Sequence, residues 1–349
     1  MLILVALLAW CVMKVADVLN CSFPEWYGKF RKVTIKSILI SLPREFIEYL
    51  RADGVVIPGS TSQTQDEDSL TDSEVDWGEA DNEESVAPSF PELQEQVSKA
   101  IKELGGRCFP KLNWSSPKDA TWIAINNSPS CSSFEDICLL LKSSDFVGHD
   151  LTQPFICCSD WQEDMQLESF FKHVLVLRKW EEIDPSTEFR CFVKSNALIA
   201  ITQRDHTTYY YHIEEQRNSI VQDIVSFFEE HLLHKFPDKS YVFDIYRKKK
   251  DIVVLLDFNP FGPLTDSLLF DWDELNAYDA ETCELPELRY MAEDRGVQPS
   301  PYRHYGLPRD FVDLSSGEDA KKLIDLLTLG RKGQEDSSND EEDKTDTVS

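Results

Sequence analysis

Three side chains that suit a hard cation lie on two strand-like segments near the middle of the chain. Asp244 falls in the segment YVFDIY (241–246), while Asp257 and Asn259 fall in IVVLLDFNP (252–260). Both segments are apolar, β-branched and aromatic, which favours strand. A polar loop of hairpin length separates them. With the turn centred in that loop, Asp244 faces Asp257 across a hairpin.

The predicted hairpin brings oxygen ligands together. Cross-strand partners come within about 5 Å of each other on one face of a sheet. Alternation puts Asp257 and Asn259 on one face and directs Leu256 and Phe258 into the core. Asp257 and Asn259 could simply begin a turn. Asp244, however, lies in an apolar run, where an unpaired carboxylate is costly to bury. Two carboxylates and an amide suit Mg²⁺, and we predict a magnesium site here.

The composition permits one large domain or two coupled lobes, since the chain has 349 residues and 42% hydrophobic content. Its net charge of −28 is unevenly spread. Segment 66–84 holds ten acidic residues and no basic one, and 335–346 holds seven acidic residues and one lysine. Such runs are typical of solvated, disordered chain. An acidic chain is also a poor sequence-independent ligand for nucleic acid, so we expect no direct nucleic-acid partner.

Cysteine usage and the first residues indicate the compartment. The nine cysteines include no CxxC pair and no zinc-ligand spacing, which favours buried free thiols in a reducing compartment. The apolar start, 1–13, is too short to span a bilayer and lacks the basic region of a signal peptide. Membrane anchoring is the minor alternative. We predict a cytoplasmic protein with no membrane partner.

The pattern of elements indicates the fold class. Pro91 suits a first helical position, and an apolar stripe follows it to residue 104. Besides the hairpin, we predict strands at 33–43, 54–59, 122–126, 173–180, 188–193 and 198–202, and helices at 45–50, 91–104 and 212–235. Strands fall in antiparallel-looking runs with helices between the runs, so an α+β fold is favoured over a doubly wound sheet.

A phosphate ligand needs positive charge or free backbone N–H groups. No P-loop and no kinase motif set occurs in the sequence. Basic side chains instead accompany the strand-like segments, namely Lys111, Lys118, Arg178, Lys179 and Arg190. Glu188 shares a strand face with the last of these. Each alone is typical of a solvated strand edge, whereas the set together with the hairpin acids indicates a nucleotide site.

Long motifs resemble those of the eukaryotic cell division cycle protein 123 family, over about residues 15–331. The matching stretches are FPKLNWSSPKDATWIA, KSSDFV, DLTQPFI, LRKWEEI, EFRCFV, ITQRD, YVFDIY, LLDFNPFGPLTDSLLFDW and VQPSPY followed by LPRDFVDLSSGEDAKKLID. The resemblance implies a divergent ATP-grasp fold of α+β class, with two lobes, mostly antiparallel sheets and the nucleotide between the lobes.

The resemblance also implies roles for individual residues. The nucleotide-facing loop would contain Lys111, Asn113, Trp114, Ser116 and Lys118. The hinge and the adenine side would contain Arg178, Lys179, Trp180 and Glu181. Arg190 and Arg204 would reach the phosphates, and Asp244, Asp257 and Asn259 would hold Mg²⁺ beside ATP. The chain lacks the glycine-rich lid loop of typical ATP-grasp enzymes, which argues against rapid phosphoryl transfer.

By the same resemblance, the protein is expected to be an ATP-binding chaperone. It would bind the gamma subunit of eukaryotic translation initiation factor 2 and promote assembly of the three-subunit factor, supporting translation and cell-cycle progression. The alternative is an ATP-grasp ligase that forms an acyl phosphate on a carboxylate substrate. The site chemistry permits both functions, and no catalytic residue is assigned.

The same reasoning divides the chain into four parts. Residues 1–13 are predicted to be an extension outside the family, and 14–296 the ATP-grasp-like body with an acidic insertion at about 60–88. Residues 297–331 form a segment rich in apolar side chains that either binds the partner or packs on the body, and 332–349 form an acidic tail. The insertion is expected to be dispensable for folding, because it cannot bury enough apolar area.

Overall fold

The computed structural model describes residues 13–293, except 53, 55–56, 59–87, 125–126, 163–164, 167–168 and 281–284. All of these residues belong to the unit Met1–Ser300. The predicted extension at 1–12, the acidic insertion, the segment 297–331 and the acidic tail lie outside the described residues. Met13 is described, and it packs in a small core with Val15 and Phe155.

A three-stranded antiparallel sheet forms the first layer. Its strands are β1 (Ser37–Ser41), β2 (Cys108–Lys111) and β3 (Val174–Lys179), in the order β1-β3-β2. The helices that pack around it are α3 (Arg44–Arg51), α4 (Pro91–Glu103), α5 (Phe134–Lys142) and α6 (Asp145–Thr152). Ser133 and Ser144 cap α5 and α6 by accepting backbone N–H groups of the first turn. Their apolar faces and one face of the sheet form a single core.

A five-stranded sheet forms the second layer. Its strands are β4 (Glu188–Lys194), β5 (Ala197–Gln203), β6 (Tyr241–Lys249), β7 (Ile252–Pro260) and β8 (Glu287–Arg289), in the order β7-β6-β4-β5-β8. Only the β5–β8 pair is parallel. The helices that follow β5 are α7 (Tyr211–Glu215) and α8 (Arg217–Phe227), and α9 (Trp272–Ala277) precedes β8. The α+β class and the mostly antiparallel sheets predicted from the sequence are confirmed.

Two N-terminal helices precede the first sheet, namely α1 (Val15–Asn20) and α2 (Phe23–Phe30). The hydroxyl of Tyr27 on α2 exchanges hydrogen bonds with the backbone of Ser37 on β1, at 2.8 and 3.0 Å. On the same helix, Trp26 packs edge-on against Phe258 of β7, with 5.3 Å between ring centroids. The α2 helix therefore contacts both sheets.

Three predictions of secondary structure were wrong. Of the strand predicted at 54–59, the described residues 54, 57 and 58 do not lie in a strand. Residues 118–123 form a 3₁₀ helix, Lys118–Ile123, where a strand was predicted from residue 122. Its buried Asp119 accepts hydrogen bonds from the first residues of α6, an interaction that a strand would not make. The helix predicted at 212–235 is broken at Gln216 and ends in a π-helical turn, Phe228–Leu232. No described helix is both long and apolar enough to cross a membrane.

Candidate functional site

The β6–β7 hairpin forms as predicted, with Asp244 directly opposite Asp257. A β-bulge lies between positions 244 and 245, so that Ile245 pairs with Leu255. The bulge shifts the alternation of side chains by one residue. Leu255 is therefore fully buried in the core while Leu256 is only partly buried, and the prediction that Leu256 faces the core was wrong.

Asp244 lies in a cluster of cationic side chains. Arg190 stands opposite it on β4 and donates two hydrogen bonds of 2.8 Å, from Nε and Nη2, to the two carboxylate oxygens. Arg204 Nε lies 3.6 Å away, and Asn259 Nδ2 lies 3.4 Å from Oδ2 of the same carboxylate. Burial alone would raise the pKa of Asp244, but the two guanidinium groups outweigh it and lower the pKa to about 2.

A second acid, Glu188, lies on β4 beside this cluster, and a further cation, Lys118 of the 3₁₀ helix, acts on it. Burial raises the pKa of Glu188, while Lys118 and Arg204 act in the opposite direction. Lys118 also helps to lower the pKa of Asp244. The structure thus brings Lys118 and Arg204, which are far apart in sequence, to the same pair of carboxylates. Glu188 was absent from the predicted ligand set, although its shared face with Arg190 was visible in the alternation of β4.

Asp257 is paired across the two sheets. Lys111, at the end of β2, donates to its carboxylate, and the lysine side chain is only 1% exposed. Arg178, at the end of β3, donates to the backbone carbonyl of Leu256 at 2.8 Å and to the Thr34 hydroxyl at 3.2 Å. Burial lowers the pKa of Lys111 and of Arg178, and the Asp257 carboxylate acts in the opposite direction for both.

The three residues after Arg178 differ in their surroundings. Glu181 accepts a hydrogen bond of 2.6 Å from the Tyr246 hydroxyl and lies 3.7 Å from Lys248, so it is held against β6. Trp180 is partly buried, and its Nε1 has no hydrogen-bond partner among the residues that the structure describes. Lys179 is exposed. The stretch therefore lies beside the cation cluster, but only Arg178 faces Asp257.

The loop after β2 is fixed by its own side chains. Asn113 is buried and bonds Ser22 Oγ, the carbonyl of Lys172 and the N–H of Val174. Trp114 donates from its indole to the carbonyl of Val18 at 2.8 Å. The described bonds of these two predicted nucleotide-facing side chains therefore go to the protein itself. For Ser116, only a backbone bond to the N–H of Lys118 is described.

A cavity of about 270 Å³ opens beside Asn259, and sequence reasoning did not find it. Its buried carboxylate, Asp150 on α6, accepts hydrogen bonds from the N–H groups of Trp114 and Ser115 and from the Ser115 hydroxyl. Burial raises the pKa of Asp150 to about 6, although these donors oppose the shift. Burial also lowers the pKa of the neighbouring His149. An acid in an apolar-looking helix, DFVGHDLT, is the signal that could have revealed the site.

The residues present fit a magnesium–triphosphate ligand by the chemistry of their donors. Five cationic side chains lie around three carboxylates where the two sheets meet, namely Lys111, Lys118, Arg178, Arg190 and Arg204 around Glu188, Asp244 and Asp257, and further acids act on them. These cations suit phosphate oxygens. The described residues contain no group of three His, Cys, Asp or Glu side chains placed to hold a metal. A cation here would therefore rely on two carboxylates, the Asn259 amide and oxygens of its ligand.

The fold and the site together define an α+β protein with a cluster of cationic side chains where two mostly antiparallel sheets meet. The D123 family model matches residues 26–315. The chain is 49% identical to the translation initiation factor eIF2 assembly protein of Xenopus tropicalis, over 93% of this chain and all of that protein. Identity to the protein of the same name from Schizosaccharomyces pombe is 39%, over 91% of this chain and 95% of that protein.

A solved structure agrees with these relatives. The structure of Cdc123 from Schizosaccharomyces pombe superposes with a TM-score of 0.67 at 39% identity, covering 81% of this chain and 99% of that one. The chain belongs to the D123 family. The resemblance seen in its motifs is thus confirmed.

Proposed function

We propose that this protein is an ATP-binding chaperone for the assembly of eukaryotic translation initiation factor 2. The relatives that match it over nearly their whole length carry the name of an eIF2 assembly protein. The ATP-grasp-like arrangement implied by the motifs would hold the nucleotide between the two sheets. We also propose a cytoplasmic location, since translation initiation takes place there, and no direct contact with nucleic acid or membrane.

The observation that carries nucleotide binding is the cluster of cations around Asp244 and Asp257. Arg190 and Lys111 are the cations that pair directly with these two carboxylates. Arg178, Arg204 and Lys118 lie in the same cluster, and none of the hydrogen bonds described for these three side chains goes to a carboxylate. Cations without a hydrogen-bonded carboxylate are available to the phosphates of a nucleotide. In this proposal Asp244, Asp257 and Asn259 hold Mg²⁺, which supplies further positive charge for the phosphates.

Calorimetric titration with Mg-ATP tests this site. The Asp257→Ala variant removes one proposed magnesium ligand and should lose measurable Mg-ATP binding while keeping a cooperative unfolding transition. Asp223→Ala is the matched control, because Asp223 is also a buried carboxylate paired with an arginine, Arg247, at 2.6 Å, but lies on α8. Mg-ATP affinity in Asp257→Ala equal to that of the wild type would contradict the metal assignment.

We propose the gamma subunit of the factor as the direct partner, with the body and the segment 297–331 as its binding surface. Co-purification of the gamma subunit with and without Mg-ATP tests the partner, and recovery of the complete three-subunit factor is the result to measure. Truncation at Gly296 tests the segment. Loss of gamma-subunit binding with unchanged ATP affinity is expected. Undiminished binding by a folded truncated protein would exclude the segment from the interface.

The ligase alternative needs a second-substrate pocket that can bind a carboxylate. The cavity beside Asn259 is close enough to the proposed metal ligands to be considered. The residues described around it include no lysine or arginine, and they place the buried acid Asp150 there. This lining suits a carboxylate substrate poorly, and we therefore favour the chaperone.

A further inference from the structure

The first residue of α2, Phe23, is fully buried at the junction of the two sheets. Its backbone N–H donates to the carbonyl of Asn113 at 2.8 Å, which ties α2 to the loop after β2. Its ring packs against those of Trp26 and Tyr27, with centroid distances of 4.4 and 5.1 Å. The ring therefore has little freedom to move.

Two buried cations lie over this one ring. The Nζ of Lys111 is 5.1 Å from the ring centroid of Phe23, and the Cζ of Arg178 is 5.3 Å from it. The two side chains are 1% and 5% exposed, so water screens neither charge. The Asp257 carboxylate favours the charged form of both, Asp150 adds to this for Lys111 and Glu181 for Arg178, while the two cations repel each other. The negative face of an aromatic ring attracts cations most strongly when they are desolvated.

We propose that Phe23 is a positioning residue that holds Lys111 and Arg178, as a charged pair, in place for the phosphates of the nucleotide. The proposal rests on the function proposed above and adds to it a part of the chain outside the family match, which begins at residue 26. The ring supplies attraction to both cations without neutralising them. Their positive charge therefore stays available to an anion, which a second carboxylate at this position would prevent.

The alternative is that Phe23 is only a core residue. Replacement of Phe23 by mono-, di- and trifluorophenylalanine separates the two roles, because fluorine withdraws charge from the ring face with little change of size. We expect the ATP dissociation constant to rise in steps with fluorine number, reaching about three- to tenfold. The Phe23→Tyr variant should bind nearly as the wild type does.

The matched control is the same fluorinated series at Phe46, a fully buried ring that packs with Tyr49, Phe90 and Phe134 in the core of the smaller sheet. This series should leave ATP affinity unchanged. An equal affinity across the Phe23 series, or an equal loss in both series, would overturn the proposal.

A double-mutant cycle without nucleotide gives an independent measurement. The variants Phe23→Leu and Lys111→Met, alone and combined, should show a coupling of about three- to tenfold in the unfolding equilibrium constant. The cycle of Phe46→Leu with Lys111→Met should show none. Absence of coupling between Phe23 and Lys111 would overturn the proposal even if the wild type binds ATP.

The two measurements also separate this inference from the proposed function. Failure of the wild type to bind ATP would contradict the proposed function, while the nucleotide-free cycle would still decide whether Phe23 holds Lys111. If Phe23→Leu does not fold, a cycle between trifluorophenylalanine at 23 and Lys111→Met replaces it, with the same expected coupling.

Discussion

Two buried carboxylates in this protein, Asp244 in the larger sheet and Asp150 on α6, have opposite electrostatic properties. They are 7% and 3% exposed, and burial tends to raise the pKa of both. Asp244 pairs with the guanidinium of Arg190, and its pKa falls to about 2. Asp150 accepts three hydrogen bonds from Trp114 and Ser115, yet its pKa rises to about 6.

The comparison teaches that a cation in hydrogen-bond contact, and not the number of neutral donors, decides the protonation of a buried acid here, since Lys111 acts on Asp150 without a described hydrogen bond to it. Asp244 keeps its negative charge at any physiological pH, as the proposed role of metal ligand requires. Asp150 takes up a proton in mildly acidic solution. Two acids near the same residue, Asn259, therefore differ in their protonation in mildly acidic solution.

The largest expected effect comes from removing the cation beside Asp244. The Arg190→Met variant leaves a buried carboxylate with only the weaker interactions with Arg204 and Lys118, and we expect a loss of about 3 kcal/mol or more in the free energy of unfolding. Urea denaturation measures it. Lys36→Met is the control, because its partner Glu103 is more than half exposed and the loss should stay below ~1 kcal/mol. Equal losses in the two variants would mean that the buried pair Arg190–Asp244 matters no more for stability than an exposed ion pair.

The second prediction concerns pH. The folded-state pKa of Asp150 is about 6, above its ordinary value of 3.8, so the folded protein binds the extra proton. The stabilisation from Asp150 is fully present below pH 3.8 and is lost as the pH rises through 6, by about 3 kcal/mol. Unfolding free energies measured from pH 4 to 7 test this.

The variant Asp150→Asn isolates this contribution. Asp238 has a pKa raised to about 6 by burial as well, so the wild-type profile contains both acids. The difference between the wild type and Asp150→Asn should decrease steadily from pH 4 to 7. A difference that is constant with pH would show that Asp150 stays ionised and that its three donors outweigh its burial.

The sequence predicts the Asp244 region better than the Asp150 region because the former depends on local pairing. The hairpin spacing was enough to place Asp244 opposite Asp257, and the alternation of β4 was enough to put Glu188 and Arg190 on one face. The bulge beside Asp244 was not predictable, because it changes the count of residues by one without altering the apolar pattern.

Contacts between distant parts of the chain could not be predicted from the sequence. Lys111 and Asp257 are 146 residues apart, and their ion pair depends on how the two sheets pack. Asp150 meets Ser115 only because α6 folds against the loop after β2. Residue types indicated that Lys111 binds an anion, but they carried no information on which anion it contacts in the folded protein.

A third prediction tests the donors of Asp150. The Ser115→Ala variant removes a 2.7 Å hydrogen bond to the carboxylate and should cost about 1–2 kcal/mol at pH 7. The cost should be smaller at pH 4, because a protonated carboxyl accepts the hydroxyl less strongly. Ser116→Ala, at the next position, is the control and should change stability little. A cost independent of pH would mean that the hydroxyl does not act through the charge of Asp150.

The smallest expected effect on stability comes from Arg204, the second cation beside Asp244. Its side chain is 22% exposed and its Nε lies 3.6 Å from the carboxylate, so water can replace much of the interaction. Arg204→Met should therefore cost about 0.5 kcal/mol in urea denaturation, far less than Arg190→Met. If Arg204 faces the phosphates as proposed, the same variant should still weaken Mg-ATP binding several-fold, because a charge that the fold hardly needs remains available to a ligand. A large loss of stability in Arg204→Met would mean that both arginines serve the fold, and phosphate binding would then have to be assigned to Lys111, Arg178 and Lys118 alone.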